Sequence, residues 1–237
     1  MKKTLAVMAV SLLLGTAGSA SAQMAGPAFN WTGFYVGADL GWHEVKDRST
    51  VPASTPYCWW DCKSYGESGS SFIAGLHTGY NWQSDAIVFG VEGDVAGMNS
   101  ASTVNDFCSS TYCDYTQKVK MNALATLRGR VGYDLGGILP FVTGGLAVGN
   151  VRNYVADNND EGLWDKTQFR TGYIFGGGFE YAMDENCLIR LQADYFDLGS
   201  TTFISKSILA VDGDSLPVKF HNDGYMVTVG FSYKLTD

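Results

Sequence analysis

The chain has 237 residues, of which 46% are hydrophobic and 17% are charged, and its formal net charge is −8. The acidic balance gives no basic footprint for nucleic acid, and the hydrophobic fraction is too high for a disordered chain. The chain also holds 29 glycines, 13 tyrosines and 13 phenylalanines. These residues are poor helix formers, so the composition argues against a helical bundle.

The first 22 residues have the pattern of a secretory signal peptide. Lys2 and Lys3 precede a short apolar run from Leu5 to Leu14, and Ala20-Ser21-Ala22 supplies a small-residue cleavage site. We therefore expect residues 1–22 to be cleaved and residues 23–237 to form one exported domain. The apolar run is too short for a spanning helix. No later segment has 18 consecutive apolar residues, which argues against a helical membrane protein. A membrane β-barrel is still possible, because its strands give only a weak signal of alternating residues.

The rest of the chain alternates between apolar and small or polar residues with a period of two. Between Gly33 and His43, for example, Phe34, Val36 and Leu40 share one face, whereas Gly37 and Asp39 share the other. This period predicts β-strands. We predict eight strands, with the facing of the fifth left open because it is rich in glycine: 33–43, 71–83, 87–95, 118–133, 139–151, 169–183, 187–198 and 223–235.

The connections between these strands alternate in length. Short turns at 84–86, 134–138 and 184–186 alternate with long polar stretches at 44–70, 98–117, 152–168 and 199–222. This arrangement is typical of outer-membrane barrels, whose short turns are periplasmic. A soluble β-sandwich is the alternative, but its second face would be charged rather than glycine-rich. The sequence therefore predicts an all-β fold, an eight-stranded antiparallel up-and-down transmembrane β-barrel. Aromatic residues near the strand ends are expected to form its interfacial girdles: Trp31, Trp42, Trp82, Tyr133, Tyr181 and Tyr233.

Several runs of residues resemble a known family. They include NWTGFYVGADLGW (30–42), FGVEGDV (89–95), TLRGRVGY (126–133), FGGGFEY (175–181) and VTVGFSYKL (227–235). These runs are similar to the alphaproteobacterial "porin family" of small outer-membrane barrels, which are OmpA-like eight-stranded surface proteins. The resemblance implies a major surface protein that contributes to envelope integrity. Some relatives bind haem, and the resemblance implies no shared catalytic residue. We expect this protein to be a monomer and a surface antigen. The chain departs from such barrels at its C-terminus, where Tyr233-Lys234-Leu235 is followed by Thr236-Asp237 rather than ending on an aromatic residue.

Charged residues on the predicted inward face are balanced. By strand parity, five acids face the lumen together with five bases: Asp39, Glu92, Asp94, Glu180 and Asp194, with Lys120, Arg128, Arg130, Arg190 and Lys234. Unpaired charge in a confined lumen is costly, and eight strands leave room only for side chains. We therefore predict that ion pairs plug the lumen, with a cluster formed by Glu92, Arg128, Arg130, Glu180 and Arg190. A gated path for small ions is the alternative.

Five cysteines follow the signal peptide into an oxidising compartment. Cys58 and Cys62 lie in the first long loop, and Cys108 and Cys113 lie in the second. Their spacing favours a disulfide within each loop, whereas pairing between the two loops is the alternative. The spacing lacks the histidine partners of a zinc centre, so no metal site is predicted. Cys187 is expected on the lipid face, as a small hydrophobic residue.

Three histidines provide the few candidates for other chemistry. His43 and His221 are predicted near the outer strand ends and are weak candidates for haem ligation. Loop aromatics such as Tyr57, Trp59 and Trp60 would be their neighbours. His77 is predicted to face the lumen. No cofactor is predicted.

The sequence does not predict an enzyme. It contains no G-x-S-x-G and no recognisable pairing of nucleophile and base. A lipid-modifying enzyme of the outer membrane is the less favoured alternative. The observation that would revive it is a serine hydroxyl that is hydrogen-bonded to His43 or His221 and faces the outer leaflet. The expected partners are outer-membrane lipid and lipopolysaccharide, with haem or host surface molecules as further candidates for the long loops.

Overall fold

The computed structural model describes residues 29–50, 64–105, 115–157, 162–205 and 216–235. Eight antiparallel strands account for nearly all of them. Their bounds are β1 Gly33–Thr50, β2 Ser64–Ser84, β3 Ile87–Asn105, β4 Tyr115–Tyr133, β5 Ile138–Asp157, β6 Gly162–Ala182, β7 Cys187–Ser205 and β8 Leu216–Lys234. Within the described ranges, no helix is long and apolar enough to cross a membrane.

The strands pair in sequence order, and β1 also pairs with β8, so the sheet closes into a barrel. Closure leaves no unpaired sheet edge, which is the condition for a strand structure to survive in lipid. The eight-stranded antiparallel barrel predicted from the period-two pattern is therefore confirmed.

The outer wall of the barrel is apolar around its middle. Phe34, Leu40, Leu76 and Val142, for example, are each exposed, as expected for side chains that face hydrocarbon rather than water. Aromatic rings lie at both edges of this band. Trp82 stacks on Phe89 near the turns, with ring centroids 5.6 Å apart, and tyrosines from β7 and β8 meet at the other edge. The exception is Trp31, which was predicted in a girdle but is buried at the turn end of the lumen.

The strands extend further than the sequence predicted at the end away from the short turns. The pairing of β1 with β2 continues to Thr50 and Ser64, inside a segment predicted to be a loop. Beyond His43 the outer face becomes polar, with Lys46 and Arg48, and Asp47 on the inner face pairs with buried Asn222. The alternation therefore disappears from the sequence, although the backbone ladder continues.

A β-bulge changes the facing of β4. The register of β4 against β5 shifts between Met121 and Ala123, so Val119 and Met121 are buried in the lumen while Lys120 is exposed. A bulge adds one residue and reverses the parity beyond it. The prediction that Lys120 faces inward was therefore wrong.

Some predictions concern residues outside the described ranges. They are the signal peptide at residues 1–22, the loop cysteines Cys58, Cys62, Cys108 and Cys113, and the terminal Thr236-Asp237. Cys187 lies within the described residues and is a free thiol.

Candidate functional site

The lumen contains a layer of buried ion pairs, and the structure brings together the five residues predicted for it. Glu92 is the direct cross-strand partner of Arg128, and Glu180 is the partner of Arg190. Two hairpins therefore each supply one acid–base pair at the same height. Arg190 links them, because its Nη2 lies 2.5 Å from Oε2 of Glu92 and 2.7 Å from Oε1 of Glu180.

Arg130 and Tyr35 complete this layer. Arg130 donates to both carboxylate oxygens of Glu180, at 3.0 and 2.7 Å, which is the strong bidentate geometry. The Tyr35 hydroxyl donates to Glu92 at 2.8 Å and accepts from Arg130 at 3.2 Å. The Arg130 guanidinium also lies 4.3 Å from the ring centroid of Phe141. Each charged group in this layer is thus both paired and hydrogen-bonded, which a buried charge requires.

Acidic side chains outnumber the guanidinium groups at this depth. Arg128 also contacts Asp94 at 2.7 Å and Asp194 at 3.3 Å, so three carboxylates share it. Thr126 donates to Asp94, and Gln192 donates to Asp194 at 2.8 Å. The predicted balance of five acids and five bases was wrong. Lys120 faces outward because of the bulge, and Lys234 reaches the backbone oxygen of Asn30 at the barrel end.

A second polar chain crosses the lumen beside this layer. His77 contacts Asp39 through Nδ1 at 2.5 Å and Ser232 through Nε2 at 2.8 Å. This is the acid–imidazole–hydroxyl order of the serine hydrolases. However, His77 and Ser232 are almost completely buried, and a side chain on the neighbouring Gly37 would overlap the imidazole ring. The chain therefore fills space and pairs buried polar groups rather than meeting a substrate.

Apolar layers lie on both sides of the charged layer. At the turn end, Trp31 packs with Val88, Leu139 and Leu188. A larger apolar cluster fills the other half, and it includes residues from all eight strands: Val45, Ile73, Met98, Val119, Met121, Leu124, Ala147, Val151, Ile174, Phe196, Leu198 and Met226. A cavity of about 20 Å³ lies next to Asp39, Arg128 and Gln192, which is room for about one water molecule. The sequence pattern does not reveal these layers, because small and aliphatic residues on the inward face are also typical of a narrow lumen.

His43 lies inside the lumen and not at its rim. Its side chain is fully buried, and neither ring nitrogen has a hydrogen-bond partner within the described residues. A haem at the surface could not reach it, so the geometry does not support His43 as an axial ligand. Above it, Arg170 donates to Asn222 at 2.6 Å, and Asn222 donates in turn to Asp47.

The outer wall carries a different polar cluster, above the aromatic girdle. Ser200 Oγ lies 3.2 Å from His221 Nδ1. On the other side of the ring, Nε2 lies 3.6 Å from Asp223 Oδ1 and 3.7 Å from Asp197 Oδ2. Arg48 donates to Asp223 at 2.6 Å. His221 is therefore placed between a serine and two carboxylates, rather than being free to ligate haem.

A basic group lies at the outer edge of the wall formed by β4 and β5. Lys118, Lys120 and Arg152 are exposed there, and Lys120 and Arg152 are cross-strand partners. Arg152 lies two residues beyond Asn150, which pairs with the exposed girdle residue Phe169. At about 3.3 Å per residue, Lys120 and Arg152 lie roughly 7 Å above this girdle residue along the strand, and Lys118 lies roughly 13 Å above it.

The turn between β6 and β7 is held by one carboxylate. Asp184 Oδ1 accepts from the backbone amides of Asn186 and Cys187, at 2.8 and 2.7 Å. These two donors hold the pKa of the Asp184 carboxyl below its ordinary value.

Comparison with known proteins agrees with the barrel. The family model described as "Outer membrane protein beta-barrel domain" matches residues 10–234. A 25 kDa outer-membrane immunogenic protein of Brucella melitensis is 31% identical over 209 residues, covering 87% of this chain and 81% of the relative. A 22 kDa outer membrane protein of Rhizobium leguminosarum is 33% identical over 177 residues, covering 75% and 69%.

The fold has a solved counterpart. The outer membrane protein OprG of Pseudomonas aeruginosa superposes with a TM-score of 0.62 at 19% identity, covering 88% of this chain and 99% of that one. Its identity is low, so this likeness shows the fold alone. Because the family model covers most of the sequence, the chain belongs to the family of outer membrane proteins with a β-barrel domain.

Proposed function

We propose that this protein is a surface barrel whose lumen is closed to solutes, and that it supports the envelope rather than acting as a diffusion pore. The observation that carries the proposal is the stack of layers in the lumen. A charged layer spanned by Arg190, Glu92 and Glu180 lies between two apolar layers, and its side chains are almost completely buried. A hydrated solute would have to break several buried pairs, and each broken pair costs about 3–5 kcal/mol.

Solute uptake by proteoliposomes tests this proposal. Vesicles with the refolded protein should swell in an isosmotic sugar no faster than empty vesicles. A Glu180→Ala, Arg190→Ala double variant removes one acid–base pair without changing net charge, and its vesicles should also stay closed because both apolar layers remain. Vesicles with an open porin are the positive control. Swelling of the wild-type vesicles at the rate of an open porin would refute a closed lumen.

We also propose that the basic group on β4 and β5 contacts the phosphates of lipopolysaccharide. Lys118, Lys120 and Arg152 are exposed on the outer wall above the girdle, with Lys118 two residues further out than the other two. This height supports a contact with the headgroup layer of the outer leaflet. Each such cation near an anionic lipid surface contributes about 1 kcal/mol.

Binding of lipopolysaccharide to the detergent-solubilised protein tests this contact. A Lys118→Gln, Lys120→Gln double variant should weaken binding by about tenfold or more, as a loss of about 2 kcal/mol implies. Lys219→Gln is the matched control, because it removes an exposed lysine from β8 on another part of the wall. Equal affinity of the double variant and the wild type would contradict the assignment.

A further inference from the structure

We propose that Ser200, His221 and Asp223 form a serine hydrolase site on the outer wall, which cleaves acyl esters of lipids in the outer leaflet. The proposal does not rest on the closed lumen. It starts from the contact between Ser200 Oγ and His221 Nδ1, at 3.2 Å, on a part of the wall where Ser200 is exposed.

A bulge places this serine outside the barrel. In β7, Asp194, Phe196 and Leu198 are buried in the lumen, so strict alternation would turn Ser200 inward as well. The register against β8 shifts between Asp197 and Ser200, and Gly199 takes a φ of +70°, a conformation that glycine adopts without steric cost. The extra residue reverses the parity and makes Ser200 the cross-strand partner of His221. Bulges that redirect a side chain are common next to active sites.

Two carboxylates lie near the other nitrogen of the His221 imidazole. Asp197 and Asp223 are cross-strand partners one step nearer the membrane, and each has an oxygen within 3.7 Å of His221 Nε2. Asp223 is almost completely buried although it points outward, because Arg48 and Tyr195 cover it. A buried carboxylate beside Nε2 favours the tautomer with a proton on that nitrogen. Nδ1 is then left unprotonated and able to accept the proton of Ser200.

The depth of the site selects the substrate class. Tyr195 and Tyr225 are cross-strand partners in the upper girdle, with ring centroids 5.0 Å apart. Asp197 and Asp223 lie two residues beyond these tyrosines along the strands. The Ser200–His221 pair lies one further pair of residues beyond the aspartates, towards the outer end of the barrel. Girdle aromatics lie at headgroup level. Measured along β8, the hydroxyl lies four residues further out, roughly 13 Å along the strand, so it faces the polar side of the outer leaflet, and its substrate class is a lipid ester that reaches that level. The half-exposed Arg48 guanidinium next to Asp223 supplies a cation for an anionic headgroup.

The reaction balances with water as the only co-substrate. Ser200 Oγ attacks the ester carbonyl while His221 Nδ1 takes the hydroxyl proton. The C–O bond to the alcohol then breaks, and the alcohol leaves with that proton. Water attacks the acyl-serine, His221 takes one proton from it and returns a proton to Ser200 Oγ, and the fatty acid leaves.

The lumen chain of Asp39, His77 and Ser232 shows why exposure matters. Its hydrogen bonds are shorter, but Ser232 is fully buried. The outer cluster has longer contacts, but Ser200 is exposed. An activity-directed probe should therefore label Ser200 and leave Ser232 unlabelled.

The test uses the refolded full-length protein in detergent micelles, with a fluorophosphonate probe and p-nitrophenyl octanoate. Mass spectrometry should place the probe on Ser200. Ester cleavage should fall to background in Ser200→Ala, and by about 10²–10⁴-fold in His221→Gln, the usual contribution of a general base. Thr202→Ala, an exposed hydroxyl two residues along β7, is the matched control and should keep the wild-type rate.

Folding of each variant is checked by its shift in gel mobility on boiling. Absence of probe on Ser200 in folded wild-type protein would overturn the proposal. So would equal cleavage by folded Ser200→Ala and wild type, because the polar cluster would then serve only to stabilise the outer wall.

Discussion

Removing Glu92 should destabilise the barrel strongly. Its carboxylate is 2% exposed and accepts from Arg128, Arg190 and Tyr35. In the Glu92→Ala variant, Arg128 keeps its ion pairs with Asp94 and Asp194. Arg190 keeps its ion pair with Glu180. Breaking a buried pair costs about 3–5 kcal/mol, so we expect a loss in that range in the free energy of unfolding.

Removing Arg128, the cross-strand partner of Glu92, should lower the free energy of unfolding by more than removing Glu92 does. Arg128→Ala removes a guanidinium that three carboxylates share, Glu92, Asp94 and Asp194. It leaves this depth of the lumen with a larger excess of negative charge, whereas Glu92→Ala reduces that excess. We therefore expect Arg128→Ala to lie at or beyond the upper end of the range. In the double variant the two losses should overlap by about 0.5–3 kcal/mol, the usual coupling of residues in contact.

Urea unfolding in lipid vesicles, followed by tryptophan fluorescence, measures all three variants. Glu44→Ala removes an outward-facing carboxylate from the same barrel and is the matched control, with an expected change within about 0.5 kcal/mol. Strict additivity of the two single changes would refute the reasoning, because it would mean that Glu92 and Arg128 do not interact.

Three further predictions follow from the wall, the turns and the loops. Lys120 faces outward, whereas Arg128 faces the lumen. The Lys120→Cys variant should therefore react quickly with a water-soluble maleimide, and the Arg128→Cys variant should not. Equal reaction rates would contradict the bulge in β4. The depressed pKa of Asp184 means that its contribution to the turn is present above the ordinary carboxyl pKa and is lost as the pH falls through the depressed value. Amides 186 and 187 should thus exchange faster in Asp184→Ala at neutral pH, a difference that should shrink at strongly acidic pH and would be absent at neutral pH if the contact did not form. Peptide mapping without reductant should find Cys58 joined to Cys62, Cys108 joined to Cys113 and Cys187 free, whereas a peptide joining Cys58 to Cys108 would show that the disulfides connect two loops.

Strand parity predicts much of this barrel and fails at identifiable places. Period-two alternation gives the eight strands, and it also places Glu92, Arg128, Glu180 and Arg190 in the lumen, because side-chain direction in a strand is fixed by its neighbours. It fails beyond each bulge, since one additional residue reverses every later side chain. Lys120 in β4 illustrates this failure, and Ser200 in β7 is turned outward by the same device.

Contacts across the lumen are also beyond the reach of the pattern. The 2.5 Å contact of Arg190 with Glu92 joins residues 98 apart in sequence, and it depends on the tilt and stagger of the closed barrel. The apolar layers were missed for a related reason. Residues such as Val45 and Met226 belong to the inward face by parity, but only closure shows that they pack against one another.

The most direct test of a closed lumen is the current through single refolded barrels in a planar bilayer. With the charged layer held between two apolar layers, we predict no steady unitary conductance above the bare bilayer at neutral pH. The Glu180→Ala, Arg190→Ala double variant keeps both apolar layers and should also stay closed. Stable wild-type openings of the size expected for a water-filled pore would contradict the account.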